Sequence, residues 1–441
     1  MRVTSRFAPS PTGFIHIGNL RTAVLNYLVS RKSGGKFILR IDDTDQERSR
    51  EKYVDQIKFD LEWLGIEWDR VESQSKRVEK YEIVANYLRE IGLLYECFET
   101  PVELDLKRKM QLNMGNPPVY DRSALKLTKT EIEKLRSQGT SHWRFKLTNE
   151  RVPWHDEIMG ELSIDTASVS DPVLIRGDGQ FLYTLASVCD DIDFAITNVV
   201  RGSDHITNTA TQIQIIAALG GHAPSFAHHS LLTGAKGEPL SKRFGNLSVK
   251  ELRESGIESQ ALLIYIARLG STKPLEQGLG INELIESFEL SDFGTNSTKF
   301  EVEQLNLFSK KYLSNLLLSK VETYLDSIGV PVEIRQEFWD MAKENVEKKS
   351  DIKLLWDLCV NGAKPLVSKE DAEFVKSAIM CMPSLPRTRQ SWKLWTEEVS
   401  KNTGRKGKKL FLPLRKALTG KETGPDMNKL FPLLKCIRVG F

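Results

Sequence analysis

What this 441-residue chain lacks excludes several classes of protein at once. No segment approaches the roughly 18 consecutive apolar residues of a membrane helix. The opening Met1-Arg2-Val3-Thr4-Ser5-Arg6 has no apolar run behind its basic residues, so neither a membrane partner nor a secretory leader is expected and the chain reads as cytoplasmic. Its five cysteines, Cys97, Cys189, Cys359, Cys381 and Cys436, are odd in number, scattered, and without a C-x-x-C pair or a histidine at metal spacing. Disulfides and a structural zinc are therefore not expected. Gly35-Lys36 is followed by Phe37 rather than Ser or Thr, which removes a Walker A phosphate loop. Internal repeats and low-complexity tracts are also missing, and the net charge of +3 is too small to name a partner.

What is present describes a folded, modular chain. Hydrophobic residues make up 40% and charged residues 27% of it, ordinary values for a protein with a large core, and the length suggests about three domains. The N-terminal pattern is strand, loop, helix, strand, helix: an extended run Val3 to Ala8 stopped by Pro9-Ser10-Pro11-Thr12-Gly13, then Leu20, Val24 and Leu28 at helical spacing, closed by Arg31-Lys32 before Gly34-Gly35. Phe37 to Ile41 is apolar enough for a strand buried on both faces, and a helix is predicted over Arg50 to Leu64. Such alternation implies a parallel sheet. From about Leu93 to Asp178 it breaks into proline-containing turns, a polar helix near Lys129 to Gln138 and a strand-like His142 to Leu147. It resumes at Gln180 to Ala186 and Phe194 to Arg201 with a helix from Thr209 to Leu219, so the two halves are expected to complete one sheet across an insertion. Beyond Ser248 the periodicity is helical, and after about residue 300 there is little strand signal.

Two stretches carry candidate chemistry. The first, Pro9 to Asn19, joins a buried strand to a helix start, where unpaired backbone N–H groups and the helix dipole favour a nucleotide phosphate. His16 can serve a phosphoryl oxygen, and Gly18 leaves room for a flat adenine ring, although His16 could equally be a satisfied polar residue at a helix start. The second runs from Leu231 to Arg243, with two glycines and then Ser241, Lys242 and Arg243 as cations and donors for a polyphosphate, or simply a lysine-rich surface loop. A further basic run, Lys401 to Lys421, carries Arg405, Lys406, Lys408, Lys409, Arg415 and Lys416 with no acid and suits a phosphate backbone or a solvated face equally.

Together the two stretches are specific. His16-Ile17-Gly18-Asn19 resembles the HIGH motif of class I aminoacyl-tRNA synthetases, and Leu240-Ser241-Lys242-Arg243 resembles their KMSKS motif, in the right order. Arg6 to Gly13, Arg40-Ile41-Asp42-Asp43-Thr44-Asp45 and Val200 to His205 look like the bacterial glutamyl-tRNA synthetases in particular, and Gly407 to Gly420 is similar to their C-terminal anticodon-binding part. The resemblance implies an α/β fold: a Rossmann-type parallel-sheet catalytic domain in two halves (residues 1–92 and 179–247), an α+β acceptor-end insertion (93–178), a helical stem-contact region (248–300) and an all-α anticodon-binding module (301–441). It implies ATP-dependent attachment of L-glutamate to tRNA through glutamyl-adenylate, with Mg2+ accompanying ATP, and a monomer is expected.

Residue by residue, the resemblance matches Arg6, Ala8, Ser10, Asp42, Tyr183 and Arg201 to the glutamate site, the two arginines and Tyr183 facing its side-chain carboxylate and Asp42 its amine. It matches His16, Gly18, Asn19, Leu232, Ser241, Lys242 and Arg243 to the ATP site, with His16, Gly18 and Lys242 catalytic. Asp42 replaces a longer Glu of many members, Ser203 a common Glu, and Pro239 the first lysine of KMSKS; Cys97 stands where some members begin a zinc site, without its partners. The arginine by which glutamate-specific members read the third anticodon base has no counterpart between Arg335 and Arg387. Glutamine tRNA is thus a candidate partner beside glutamate tRNA. The alternative is a catalytically degenerate tRNA-binding paralogue.

Overall fold

The computed structural model describes residues 2–139, 141–234, 236–238 and 247–438. Contacts divide the chain into two compact units: residues 1–254, 262–275 and 279–301 form one, and 255–261, 276–278 and 302–441 the other.

The first unit opens with strand β1 (Thr4–Phe7), helix α1 (Ile17–Lys32), strand β2 (Lys36–Ile41), helix α2 (Glu51–Trp63) and strand β3 (Arg70–Ser73). The three strands pair in parallel in the order β1-β2-β3. Phe37, Ile38, Leu39 and Ile41 are all buried, as expected for a strand covered on both faces. After helix α3 (Val78–Glu90), strand β4 (Leu94–Cys97), helices α4 (Pro101–Asn113) and α5 (Lys129–Arg136), strand β5 (His142–Phe145) and the antiparallel hairpin β6 (Arg151–Asp156) and β7 (Gly160–Asp165), the chain continues with β8 (Val173–Ile175). Strands β4, β5 and β8 form a small antiparallel sheet. Helix α6 (Tyr183–Asp193), strand β9 (Asn198–Gly202), helix α7 (Ile206–Ala218) and strand β10 (Ser225–His229) follow, and the sheet order β7-β6-β10-β9 brings the β6–β7 hairpin onto the second parallel half.

Two features differ from the sequence expectation. Gln180 to Ala186 is not a strand: Phe181 makes a single bridge with Ile175, and Tyr183 already starts α6. The alternating Phe181, Tyr183 and Leu185 mislead because short apolar runs do not separate strand from helix. The two half-sheets also do not fuse along their length. Thr197 N donates to Thr4 O at 2.9 Å where β1 and β9 adjoin. Farther along, the Asn26 amide of α1 takes the place of a strand partner, donating to Val200 O (2.7 Å) and accepting from Val200 N (3.2 Å). The result is a Rossmann-type arrangement in which β1, β2, β9 and β10 all end on the same side, where open α/β sheets bind ligands.

The second unit is a helical module with helices Val302–Asn315, Leu318–Ser327, Arg335–Ala342, Lys349–Asn361, Ala372–Met380, Ser391–Thr403 and Lys408–Thr419. Large buried aromatics hold it together: Trp395 stacks on Phe431 at 5.2 Å, and Phe338 packs edge-on against Trp356 at 5.3 Å.

Candidate active site

A cavity of about 960 Å³ opens at the carboxyl ends of these strands. Its lining includes Arg6 on β1, Ala8 and Ser10 after it, Asp42 after β2, Tyr183 at the start of α6, Arg201 on β9, His16, Gly18 and Asn19 at the start of α1, and Leu232. Every sequence-derived site residue that the structure describes therefore faces one space. Ser241, Lys242 and Arg243, with Pro239, lie outside the described residues.

The floor is a buried charge network. Arg40, near the carboxyl end of the apolar strand β2, is fully buried and forks onto Asp42 at 2.7 and 3.1 Å while reaching Asp191 at 2.8 Å. Arg6 pairs with the same Asp191 through Nε and Nη2 at 3.1 and 3.3 Å. Burial pushes the Asp42 carboxyl up to about 6, outweighing the pull of Arg40. Burial would also raise Asp191, but Arg6 and Arg40 hold it below the usual carboxylate range. Sequence reasoning missed Arg40, Asp190 and Asp191 as members of the site. Their signal was available: a lone arginine inside an apolar strand and an Asp-Asp pair on an apolar helix require one another once buried.

Arg201 is different. Its guanidinium is buried, and among the described residues no carboxylate stands within ion-pair distance of it. Neutral groups hold it: Nη1 donates to Tyr183 Oη at 3.1 Å, Nη2 to Thr209 Oγ1 at 2.7 Å and Nε to His228 Nε2 at 3.4 Å. Burial lowers its pKa from the ordinary arginine value. A buried cation held only by neutral groups is an anion receptor.

Also in the lining, His16 caps α1, its Nδ1 accepting from Gly18 N at 3.1 Å and Asn19 N at 3.3 Å. The expectation of unpaired amides is thus corrected: Ile17 N is also taken by Leu247 O and Leu20 N by His16 O. With Nδ1 an acceptor, the ring proton sits on Nε2, and the helix start offers an anion that N–H rather than bare backbone. Burial lowers the His16 pKa, favouring the neutral ring. Gly18 also has a reason beyond room for a nucleotide base: a Cβ there would meet the His16 ring at 3.0–3.1 Å. Asp45 serves its own turn, accepting from Arg48 N and Nε, and does not cap a helix.

Away from the cavity, Cys97, Glu99 and His142 bring one ligand atom each within 4.8 Å of one another. The expectation that Cys97 has no partners is corrected on this point, because pairing of β4 with β5 sets Cys97 opposite His142. The cluster fits zinc poorly. It has three ligands where structural sites have four, Glu99 already accepts from Ser123, Tyr120 and the Lys107 ammonium, and burial pushes the Cys97 thiol up to about 11, against the thiolate a metal needs.

Comparisons with known proteins agree with this geometry. The family model for the catalytic domain of class I tRNA synthetases (E and Q) matches residues 2–315. The chain is similar to a glutamate–tRNA ligase of Ruegeria pomeroyi (58% identical over 436 residues, 99% of this chain and 98% of that protein) and to one of Paracoccus denitrificans (54% identical over 436 residues, 99% of each). It is similar in fold to the crystal structure of a glutamate tRNA ligase from Elizabethkingia meningosepticum in complex with its amino acid (TM-score 0.83, 27% identity, covering 98% of this chain and 97% of that one). With a Rossmann-type sheet, a nucleotide-type helix start and an anion-receiving arginine in one cavity, and relatives matched over nearly its whole length, the chain belongs to the class I tRNA synthetases of the glutamate and glutamine branch.

Proposed function

We propose that this enzyme activates L-glutamate with ATP and transfers it to tRNA. The observation that carries the reading is Arg201, a buried guanidinium with no carboxylate partner among the described residues, facing the same cavity as His16. Glutamate would place its side-chain carboxylate on Arg201 and Tyr183, with Arg6 adding positive potential, and its amine toward Asp42. Ser10 and Ala8 would line its backbone. In the first step an α-carboxylate oxygen attacks the α-phosphorus of ATP and the bond to the pyrophosphate oxygen breaks, giving glutamyl-adenylate and pyrophosphate. In the second a hydroxyl of the terminal tRNA ribose attacks the acyl carbon and AMP leaves. His16 Nε2–H and Lys242 would stabilise charge on the phosphates, so catalysis is positioning and electrostatics without a covalent enzyme intermediate. Gly18, Asn19 and Leu232 would bound the nucleotide, with Ser241 and Arg243 beside Lys242. Magnesium enters with ATP, held largely by phosphates and water. Residues 93–178 would grip the acceptor end and 301–441 the anticodon, in a monomer that needs no zinc.

The experiment is glutamate-dependent ATP–pyrophosphate exchange, with and without tRNA, on the native enzyme and Arg201→Gln. The variant should weaken glutamate use by at least about 1.5–3 kcal/mol, the range for hydrogen bonds to charged groups, and glutamine should be a poor substrate for the native enzyme. Normal glutamate activation by Arg201→Gln would assign the side chain to another cation.

A further inference from the structure

Behind Arg201 lies a second layer of polar side chains that does not touch the cavity. Asp156, at the end of β6, is buried, and its Oδ1 accepts from His228 N at 3.0 Å, Ile158 N at 3.1 Å and Met159 N at 2.9 Å. Its Oδ2 meets His228 Nδ1 at 2.5 Å. On the other side of the ring, His228 Nε2 stands 2.9 Å from Thr209 Oγ1 and 3.4 Å from Arg201 Nε, while Thr209 Oγ1 accepts from Arg201 Nη2. The partners fix the ring proton. The carboxylate can only accept, so Nδ1 carries the ring proton; Nε2 is then an acceptor facing the Arg201 N–H, the Thr209 hydroxyl has two acceptors within reach, Nε2 and His205 O at 3.2 Å, and the Thr209 oxygen remains open to Arg201.

We propose that Asp156, His228 and Thr209 form a relay that sets the donor pattern and orientation of Arg201, which makes Asp156 a positioning residue for glutamate recognition although it lies outside the cavity. The inference rests on the assignment of Arg201 to the side-chain carboxylate. The fold gives it reach: β10 sets His228 beside Arg201 of β9, and β6 pairs with β10 at Phe226 and Asp156. The hairpin of the inserted segment that contains Asp156 therefore comes within one imidazole of the substrate-binding guanidinium. Asp156 fixes the tautomer in the way that outer partners of ligating histidines do.

Asp156→Asn tests the relay while keeping its shape. An amide can still accept the backbone N–H groups, but its NH2 faces Nδ1 and drives the ring proton to Nε2, where it meets the Arg201 N–H donor to donor. Pyrophosphate exchange should show the KM for glutamate raised about tenfold, the size of one net hydrogen bond, with the KM for ATP within about twofold of native. Thr209→Val should act likewise, and Thr209→Ser should recover most of the loss. Arg201→Gln runs in the same assay. If it weakens glutamate use while Asp156→Asn and Thr209→Val leave the glutamate KM within about twofold, the relay is overturned and the assignment of Arg201 stands. If Arg201→Gln has no effect, both fall. A lowered Tm for Asp156→Asn with unchanged KM values would make the residue merely structural and also overturn the relay. Should that variant fail to fold, the Thr209 pair decides.

Discussion

Asp42 shows how one residue can be set against itself. It sits in the cavity wall with both oxygens engaged by Arg40, yet burial dominates and holds its carboxyl near 6 instead of the ordinary 3.8. A carboxyl raised in the folded state favours folding in its protonated form. Its contribution to stability is present below about 4 and lost as pH rises toward about 6. The proposed contact with the substrate amine runs the other way, because only the ionised form attracts an ammonium. The expected outcome is that kcat/KM for glutamate, which reports the free enzyme, falls as pH drops through about 6. Asp42→Asn should be weak throughout and lack that inflection. An inflection that persists in the variant would move the titration to another group, with His16 the first to examine. The resemblance, in which Asp42 stands for a longer Glu, implied a shifted or water-mediated amine contact; the sequence could not reveal that Arg40 would engage the shorter carboxylate, since that depends on burial of the pair.

Helix α1 joins local chemistry to the active site, because the same imidazole ends the helix and faces the cavity. His16→Ala should lose the cap, worth about 1 kcal/mol of stability, as well as the Nε2–H. His16→Asn supplies a good capping oxygen but cannot reach the phosphates, so it should restore Tm toward native while leaving the activation rate low. Recovery of both by Asn would make His16 only a cap. This helix was legible in the sequence because the spacing of Leu20, Val24 and Leu28 and the Arg31-Lys32-Ser33-Gly34 ending carry the period and the stop signal within a few residues. Less legible were Asn26 and Arg21, polar residues on the buried side, whose partners Val200, Ser230 and Leu269 lie far away in the chain. In helix α6 the Asp190-Asp191 pair is a local signal, but its partners on β1 and β2 and Arg77, which decide what the pair does, lie far away in the chain.

At the scale of the whole molecule, the helical unit raises the question of which tRNA is served. Reading a base edge takes a planar pair of donors, which arginine has and lysine lacks. No arginine occurs between Arg335 and Arg387, and the two that bracket the stretch are committed inside the unit. Arg335 donates to Val330 O and pairs with Asp326; Arg387 donates to Pro383 O and Leu434 O and lies 4.8 Å over the Phe431 ring. The lysines at the head of helix Lys349–Asn361 are partly engaged as well, Lys349 with Glu258 at 2.6 Å and Lys353 with Asp357 at 2.7 Å. Such lysines can attract phosphate but give little sequence information. If no other residue reads the third anticodon base, at which glutamate and glutamine tRNAs differ, discrimination between them should be less than about tenfold, because an arginine fork on a base edge is worth about 1–3 kcal/mol. Preference for glutamine tRNA, with its glutamyl product left for later amidation, would be the extreme form of the same deficiency. Charging both purified tRNAs with glutamate at matched salt measures it, since phosphate contacts alone make affinity depend on salt. A strong preference for glutamate tRNA that disappears when its third anticodon base is swapped would show that this unit reads the base with a residue other than an arginine of this stretch.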